Sequence, residues 1–97
     1  MKDFRNFQNV RIIKEEGTIA NGDYIMDEVI IRCKNGLLND NTDENGDLLP
    51  ALETKDGNHV EHWKNGVLHC ENAPAIVDNI DKYEYWFVNG VEYPPKS

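Results

Sequence analysis

Apolar and polar residues alternate in short runs along this chain, and three of the runs end at an Asn-Gly pair. Asn-Gly is the preferred pair for a two-residue type I′ turn, because both central residues of that turn need a positive φ. Runs rich in β-branched and aromatic residues precede each pair, as is typical of strands. The pattern therefore predicts three β-hairpins, with turns at Asn35-Gly36, Asn65-Gly66 and Asn89-Gly90.

The spacing of these pairs predicts a tandem repeat. Asn65 and Asn89 are 24 residues apart, and the Pro-Ala pairs that begin at Pro50 and Pro74 are 24 residues apart as well. The first Asn-Gly pair precedes the second by 30 residues, and the six extra residues fall in the polar stretch 39–47. Because repeat proteins tolerate insertions in loops, this stretch is predicted to be a loop inserted into the repeat.

Residues 62–75, HWKNGVLHCENAPA, carry a resemblance to a known repeat. They resemble the W-Y-x-N-G-x-x-H-R-x-x-G-P-A repeats of bacterial, phage and giant-virus proteins, which are similar in appearance to MORN hairpin repeats. The chain departs from that pattern at His62, Cys70 and Ala73, where the family has Trp, Arg and Gly. The family implies an all-β fold and no fixed biochemical activity.

Two further stretches extend the resemblance over roughly residues 30–94. Residues 86–93 repeat the pattern with Tyr93 in place of the family's His. Residues 32–38 form a third, degenerate copy of the repeat. We therefore expect a single all-β domain over residues 1–97, with tandem hairpin repeats in residues 30–97 that form an antiparallel meander sheet.

The N-terminal third, residues 1–29, is expected to contribute strands or a cap to this sheet. Residues 10–13 are predicted to form a strand, and Asn21-Gly22 a turn. Residues 24–32 are rich in β-branched side chains and are predicted to form one strand, with a short helix over residues 26–31 as the alternative.

Pairing across the predicted turns follows from their geometry, because residues equidistant from a two-residue turn face each other. We expect Trp86 opposite Tyr93, Phe87 opposite Glu92, Trp63 opposite Leu68 and His62 opposite His69.

One face of each ribbon is predicted to be core and the other to be solvated. The core set is aromatic and comprises Trp63, Trp86, Phe87, Tyr83 and Tyr85, and the solvated set is charged and comprises Glu61, Lys64 and Glu84.

Composition narrows the class of protein. The chain has 97 residues, of which 39% are hydrophobic, so it can form a core and is not expected to be disordered. Its apolar runs are too short for a membrane span, and its first residues lack the apolar segment of a signal peptide. We therefore expect a cytoplasmic protein whose cysteines, Cys33 and Cys70, are reduced.

The sequence gives only weak signals for a catalytic site or a metal site. Cys70 and His69 are adjacent, so on a strand they point to opposite faces and are badly placed to share a proton, with Cys33 and a histidine of another repeat as the alternative pair. His62 and His69 leave a zinc site two ligands short. The acidic stretch that begins at Asp40 resembles a calcium loop but has Leu52 where a bidentate Glu is required. We expect no enzyme activity, no metal and no cofactor.

Charge supplies the functional hypothesis. Acidic residues number 18 against 10 basic ones, a net charge of −8, which repels nucleic acid and anionic membrane and attracts basic partners. We expect a non-enzymatic inhibitor that occludes a basic nucleic-acid-binding surface of a protein or nucleoprotein complex, such as a phage or prophage anti-defence protein of the anti-CRISPR kind. The alternatives are an immunity protein or antitoxin, and an oligomeric repeat module. The predicted partner-binding residues are Asp40, Asp43, Glu44, Asp47, Tyr93 and Tyr24.

Overall fold

The computed structural model describes residues 8, 9, 11–13 and 16–93, and these form an all-β structure. Every strand pairing in this part of the chain is antiparallel, and none of its residues is helical. It accordingly contains no helix long and apolar enough to cross a bilayer. The strands are β1 Gly22–Met26, β2 Val29–Lys34, β3 Leu37–Leu38, β4 Asn41–Thr42, β5 Leu48–Leu49, β6 Leu52–Thr54, β7 His59–Glu61, β8 Trp63–Lys64, β9 Val67–Leu68, β10 Ile76–Asp78, β11 Tyr83–Val88 and β12 Val91–Tyr93.

The strands form a meander with side branches. The main sheet has the order β1-β2-β6-β7-β10-β11-β12, with β3 paired to β2, so that β1 and β12 lie at its two ends. Two small ribbons, β4-β5 and β8-β9, stand beside it. The predicted fold class, an antiparallel meander of hairpin repeats, is confirmed.

All three predicted Asn-Gly turns are present and have the expected backbone. The asparagines have φ angles of 53°, 49° and 50°, and the glycines that follow have 82°, 86° and 83°. Trp86 pairs with Tyr93 and Trp63 with Leu68, as predicted. We refer to residues 33–38, 63–68 and 86–93 as the first, second and third hairpins.

The hairpins stack by a repeated hydrogen bond to the turn glycine. The N–H of Gly66 donates to the carbonyl of Leu38 at 2.9 Å, and the N–H of Gly90 donates to the carbonyl of Leu68 at 2.8 Å. Gly36 makes the same bond, at 2.7 Å, to the carbonyl of Ala20. The second and third turns therefore dock on the last residue of the hairpin before them, and the first turn docks on Ala20 in the same way, so the sequence repeat is also a repeat of contacts.

The asparagine of each turn adds a second bond of the same kind. The N–H of Asn65 donates to Oδ1 of Asn39, and the N–H of Asn89 donates to Nδ1 of His69, each at 2.9 Å. Asn39 and His69 occupy equivalent places, directly after the first and second hairpins. His69 thus has a structural role as an acceptor for the next turn.

An N-terminal segment runs across the three turns and ties them together. The N–H of Ile12 donates to the carbonyl of Gly36 at 2.6 Å, and that of Asn9 to the carbonyl of Gly66 at 2.7 Å. Nε2 of Gln8 donates to the carbonyl of Gly90 at 3.2 Å. Gln8, Asn9 and Ile12 therefore contact the three hairpins in the reverse of chain order.

The core is formed by residues at the same position of each successive hairpin. Cys33, Trp63 and Phe87 stand two residues before their turn asparagines, and all three are buried. Ala51 and Ala75, which follow the two prolines, have no exposed surface. Their carbonyls accept the N–H groups of Arg32 and His62, both at 2.7 Å. The small side chain lets the backbone of each Pro-Ala segment approach the strand beside it.

The prediction of a single strand over residues 24–32 is wrong. Two strands, β1 and β2, occupy this stretch and reverse direction at Asp27-Glu28, where Met26 pairs with Val29. Asp27 has a φ of 55°, so the turn forms without the glycine that would have indicated it. The alternative helix over residues 26–31 is wrong for the same reason.

The remaining N-terminal expectations also need correction. Gly22 is the first residue of β1 and not the second residue of a tight turn. Ile13 forms an isolated bridge with Ile19, so residues 11–13 are not a regular strand, and Val10 lies outside the described residues.

The assignment of Glu61 to the solvated face is wrong as well. Lys64 and Glu84 are exposed as predicted, but Glu61 is 2% exposed. Glu61 stands two residues before Trp63 on a nearly continuous strand, and side chains two residues apart share a face. The inward face of the middle repeat therefore contains a carboxylate.

Replacing Gly36 should destabilise the fold much more than replacing Gly46. Both have a positive φ, 82° and 85°, which costs a residue with a Cβ about 1–2 kcal/mol. A Cβ on Gly36 would also lie 2.6 Å from Cγ of Arg11 and 3.2 Å from the carbonyl oxygen of Ile12, whereas one on Gly46 would meet nothing within 4 Å. We expect Gly36→Ala to cost about 1–3 kcal/mol more than Gly46→Ala in urea unfolding. Equal losses for the two variants would contradict the close docking of the turns.

Candidate functional site

The inserted stretch forms a small ribbon with an acidic turn, residues 41–49, which we call the acidic ribbon. Oδ1 of Asp43 accepts the N–H groups of Asn45 and Asp47 at 2.8 and 2.9 Å, and the N–H of Asp43 donates to the carbonyl of Asp47 at 2.9 Å. Gly46 supplies the positive φ that closes the turn. The side chain of Asp43 therefore holds the conformation of this loop.

Glu44 and Asp47 belong to the same turn, and their side chains are exposed. Leu48 follows them directly and is 53% exposed, although it is a large apolar residue. Sequence reasoning predicted both acids but missed the leucine, which a search for apolar residues beside acidic turns would have found. The acidic ribbon thus combines negative charge with one apolar anchor.

Asp40 is turned inward and binds the second repeat. Its Oδ1 accepts the N–H groups of Ala51 and Trp63 at 2.7 and 3.0 Å, and its Oδ2 lies 2.8 Å from Nδ1 of His62. The side chain is 11% exposed. Both oxygens are already engaged within the chain, so Asp40 anchors the insertion and is not part of the surface that we propose below.

The two predicted tyrosines lie far from one another in the strand order. Tyr24 is on β1, where its hydroxyl donates to the carbonyl of Asn21 at 2.7 Å. Tyr93 is on β12, where its ring packs edge-on against Trp86 with centroids 6.1 Å apart. Since β1 and β12 are opposite ends of the sheet, the structure does not bring these tyrosines together in one site.

A buried polar network in the middle repeat was missed by sequence reasoning. Oε2 of Glu61 lies 2.6 Å from Nε2 of His59, and Nδ1 of His59 lies 2.8 Å from Oδ2 of Asp78. The other oxygen of Glu61, Oε1, accepts the indole N–H of Trp63 at 3.0 Å. His59 and Glu61 occupy the positions that are Val29 and Ile31 in the first repeat, so this network replaces an apolar column.

The two carboxylates favour the protonated form of His59 and raise its pKa. The hydrogen bond to Glu61 is the largest of the effects that raise the pKa of His59, and Asp78 adds to it, while burial opposes it. The pKa of Asp78 is lowered, first by the backbone N–H of Asp81 and then by His59. A protonated imidazole can donate from both nitrogens, which satisfies both carboxylates at once.

The cysteines are poorly suited to nucleophilic chemistry. Burial raises the pKa of Cys70 and of Cys33 above the ordinary thiol value, so both stay protonated near neutral pH. Nδ1 of His69 accepts the N–H of Asn89 and is therefore committed to a turn. Within residues 8, 9, 11–13 and 16–93, no group of three or more His, Cys, Asp and Glu side chains is placed to hold a metal ion.

The chain was compared with families, curated proteins and solved structures. No protein-family model, curated protein or solved structure matches it. The resemblance to the W-Y-x-N-G hairpin repeats therefore stays a prediction from the residues. The internal repeat, in contrast, is visible in the stacked turns.

The His59 network predicts a loss of stability as the pH rises. Because the folded-state pKa of His59 is raised above 6.5, the folded chain keeps a proton that the unfolded chain releases. The resulting stabilisation is complete below about pH 6.5 and disappears as the pH rises through the folded-state pKa. Urea unfolding from about pH 6 to 8 should show this decline in the natural chain.

The matched control for this measurement is His59→Gln, which cannot take up the proton. Its unfolding free energy should change less over the same range of pH. An NMR titration of the natural chain gives an independent reading that does not require the variant to fold. A titration midpoint for the His59 ring at or below the ordinary histidine value would contradict the network.

Proposed function

We propose that this protein is a non-enzymatic inhibitor whose acidic ribbon docks on a basic, nucleic-acid-binding surface of another protein. The observation that carries the proposal is the exposed turn of the ribbon, in which Glu44, Asp47 and the apolar Leu48 are all exposed. Carboxylates of this kind meet the Lys and Arg side chains that otherwise hold phosphate, and so occlude them.

Pre-organisation supports the proposal. Side chains on a loop that must be ordered on binding lose part of their interaction energy to entropy. Here the hydrogen bonds of Asp43 fix the turn beforehand, and the inward bonds of Asp40 fix its base. The exposed acids are therefore presented in a set geometry, which favours docking over mere solubility as the role of the charge.

The charge of the whole chain supports the class of partner. A net charge of −8 speeds association with a basic surface and disfavours direct binding to nucleic acid. A bacterial nuclease complex, targeted by a phage or prophage anti-defence protein of the anti-CRISPR kind, is the partner that we propose. Such an inhibitor needs no catalytic group, since occupation of the basic surface is sufficient.

Neutralising the ribbon should abolish partner binding. Glu44→Gln with Asp47→Asn removes two charges and leaves the turn intact, because the bonds of the turn to residue 47 use its backbone. Asp81→Asn with Glu84→Gln removes two exposed charges elsewhere and serves as the matched control. We expect the natural chain and the control to capture the same nuclease from a bacterial lysate, and the ribbon variant to lose it.

Two further measurements test whether the captured partner is held by ion pairs and whether its nucleic-acid-binding surface is occluded. The captured partner should be released between about 0.15 M and about 0.5 M NaCl, as expected for exposed ion pairs. DNA or RNA that the partner binds should compete with this protein for it. A partner retained by the ribbon variant, or a captured toxin that binds no nucleic acid, would overturn the proposal, the second result favouring an immunity protein or antitoxin.

A further inference from the structure

A groove lies between the acidic ribbon and the first two hairpins. Its volume is about 580 Å³, and its apolar wall comes from Leu48 of β5, Trp63 of β8 and Cys70. Pockets of roughly 300–1,000 Å³ with an apolar wall and a few polar groups are typical of small-molecule sites. The acidic ribbon and the hairpins thus line one concavity together.

Two lysines stand on the rim of this groove at equivalent positions of the repeat. Lys34 and Lys64 each directly precede a turn asparagine, both are exposed, and both line the groove. Neither forms an ion pair with a carboxylate of the described residues. Two ammonium groups without a carboxylate partner among the described residues are unusual in a chain with a net charge of −8.

The acids that line the groove do not neutralise these lysines. Asp40 gives its carboxylate to His62 and to two backbone N–H groups. Glu71 lies 3.6 Å from Nε2 of His69. Because Nδ1 of His69 accepts a backbone N–H, the proton of the neutral ring is on Nε2, and it faces Glu71.

We propose that this groove binds a small organic anion with an apolar body. The anionic group, a carboxylate, phosphate or sulfonate, accepts charge-assisted hydrogen bonds from Lys34 and Lys64. The apolar body lies against the exposed side chain of Leu48 and beside Cys70, where it removes exposed apolar surface from water. The net negative charge of the chain disfavours a polyanion.

The two proposals are tested separately, because this site holds its ligand through cations whereas the acidic ribbon uses carboxylates. Leu48 belongs to both surfaces. A suitable probe is 1-anilinonaphthalene-8-sulfonate, an aromatic sulfonate whose fluorescence rises in apolar surroundings. We expect saturable binding at a single site of the folded protein. N-phenyl-1-naphthylamine, which has the same rings without the charge, reports the apolar contribution alone.

The decisive variants are a matched pair of double substitutions. Lys34→Gln with Lys64→Gln should weaken binding of the sulfonate by about tenfold or more. Lys55→Gln with Lys82→Gln makes the same change in net charge and should leave the affinity within about twofold. Leu48→Ala should weaken both probes, whereas the lysine variants should leave the uncharged probe unchanged.

Folding is checked for each variant by its urea midpoint, because the sulfonate also binds partly unfolded chains. NMR adds a second measurement on the natural chain, in which the methyl groups of Leu48 should shift on titration. Equal affinity in the two double variants, binding that does not saturate, or shifts confined to residues outside the groove would overturn the proposal.

Discussion

The whole structure depends on the backbone of three Asn-Gly turns. Their positive φ angles reverse the chain in two residues, and the absence of a side chain on each glycine lets its N–H reach the carbonyl of the preceding element at 2.7–2.9 Å. Gly66 and Gly90 also pack against Leu37 and Val67 of the hairpin before them. A single hairpin is marginal in water, so this docking is what turns three of them into one structure.

The second repeat is distinct because a polar network takes the place of an apolar column. Burying Glu61 alone would be costly, but it accepts from both His59 and the indole of Trp63. His59 in turn connects β7 to Asp78 of β10. The network therefore joins neighbouring strands of the main sheet through side chains, at the point where the first and third repeats rely on aliphatic and aromatic packing. The stability of this repeat is thereby linked to pH.

Local chemistry decided how much of this the sequence could predict. The Asn-Gly turns and the pairing of Trp86 with Tyr93 follow from residues that are close in the chain, and both were predicted correctly. The turn at Asp27-Glu28 has no glycine and is set by the pairing of β1 with β2, which periodicity does not show. The bond between Asp40 and His62 joins residues 22 positions apart, so nothing in the local pattern indicated that this acid faces inward.

The insertion gives this hairpin stack two surfaces of opposite character. Glu44 and Asp47 at the outer turn of the acidic ribbon are exposed carboxylates. The apolar Leu48 of the same ribbon lines a groove together with Lys34 and Lys64. Asp40 makes both possible, because its bonds to the second repeat fix the base of the ribbon against the hairpins. The chemistry of this protein is therefore best sought at the departure from the repeat, on a scaffold that the repeat itself keeps rigid.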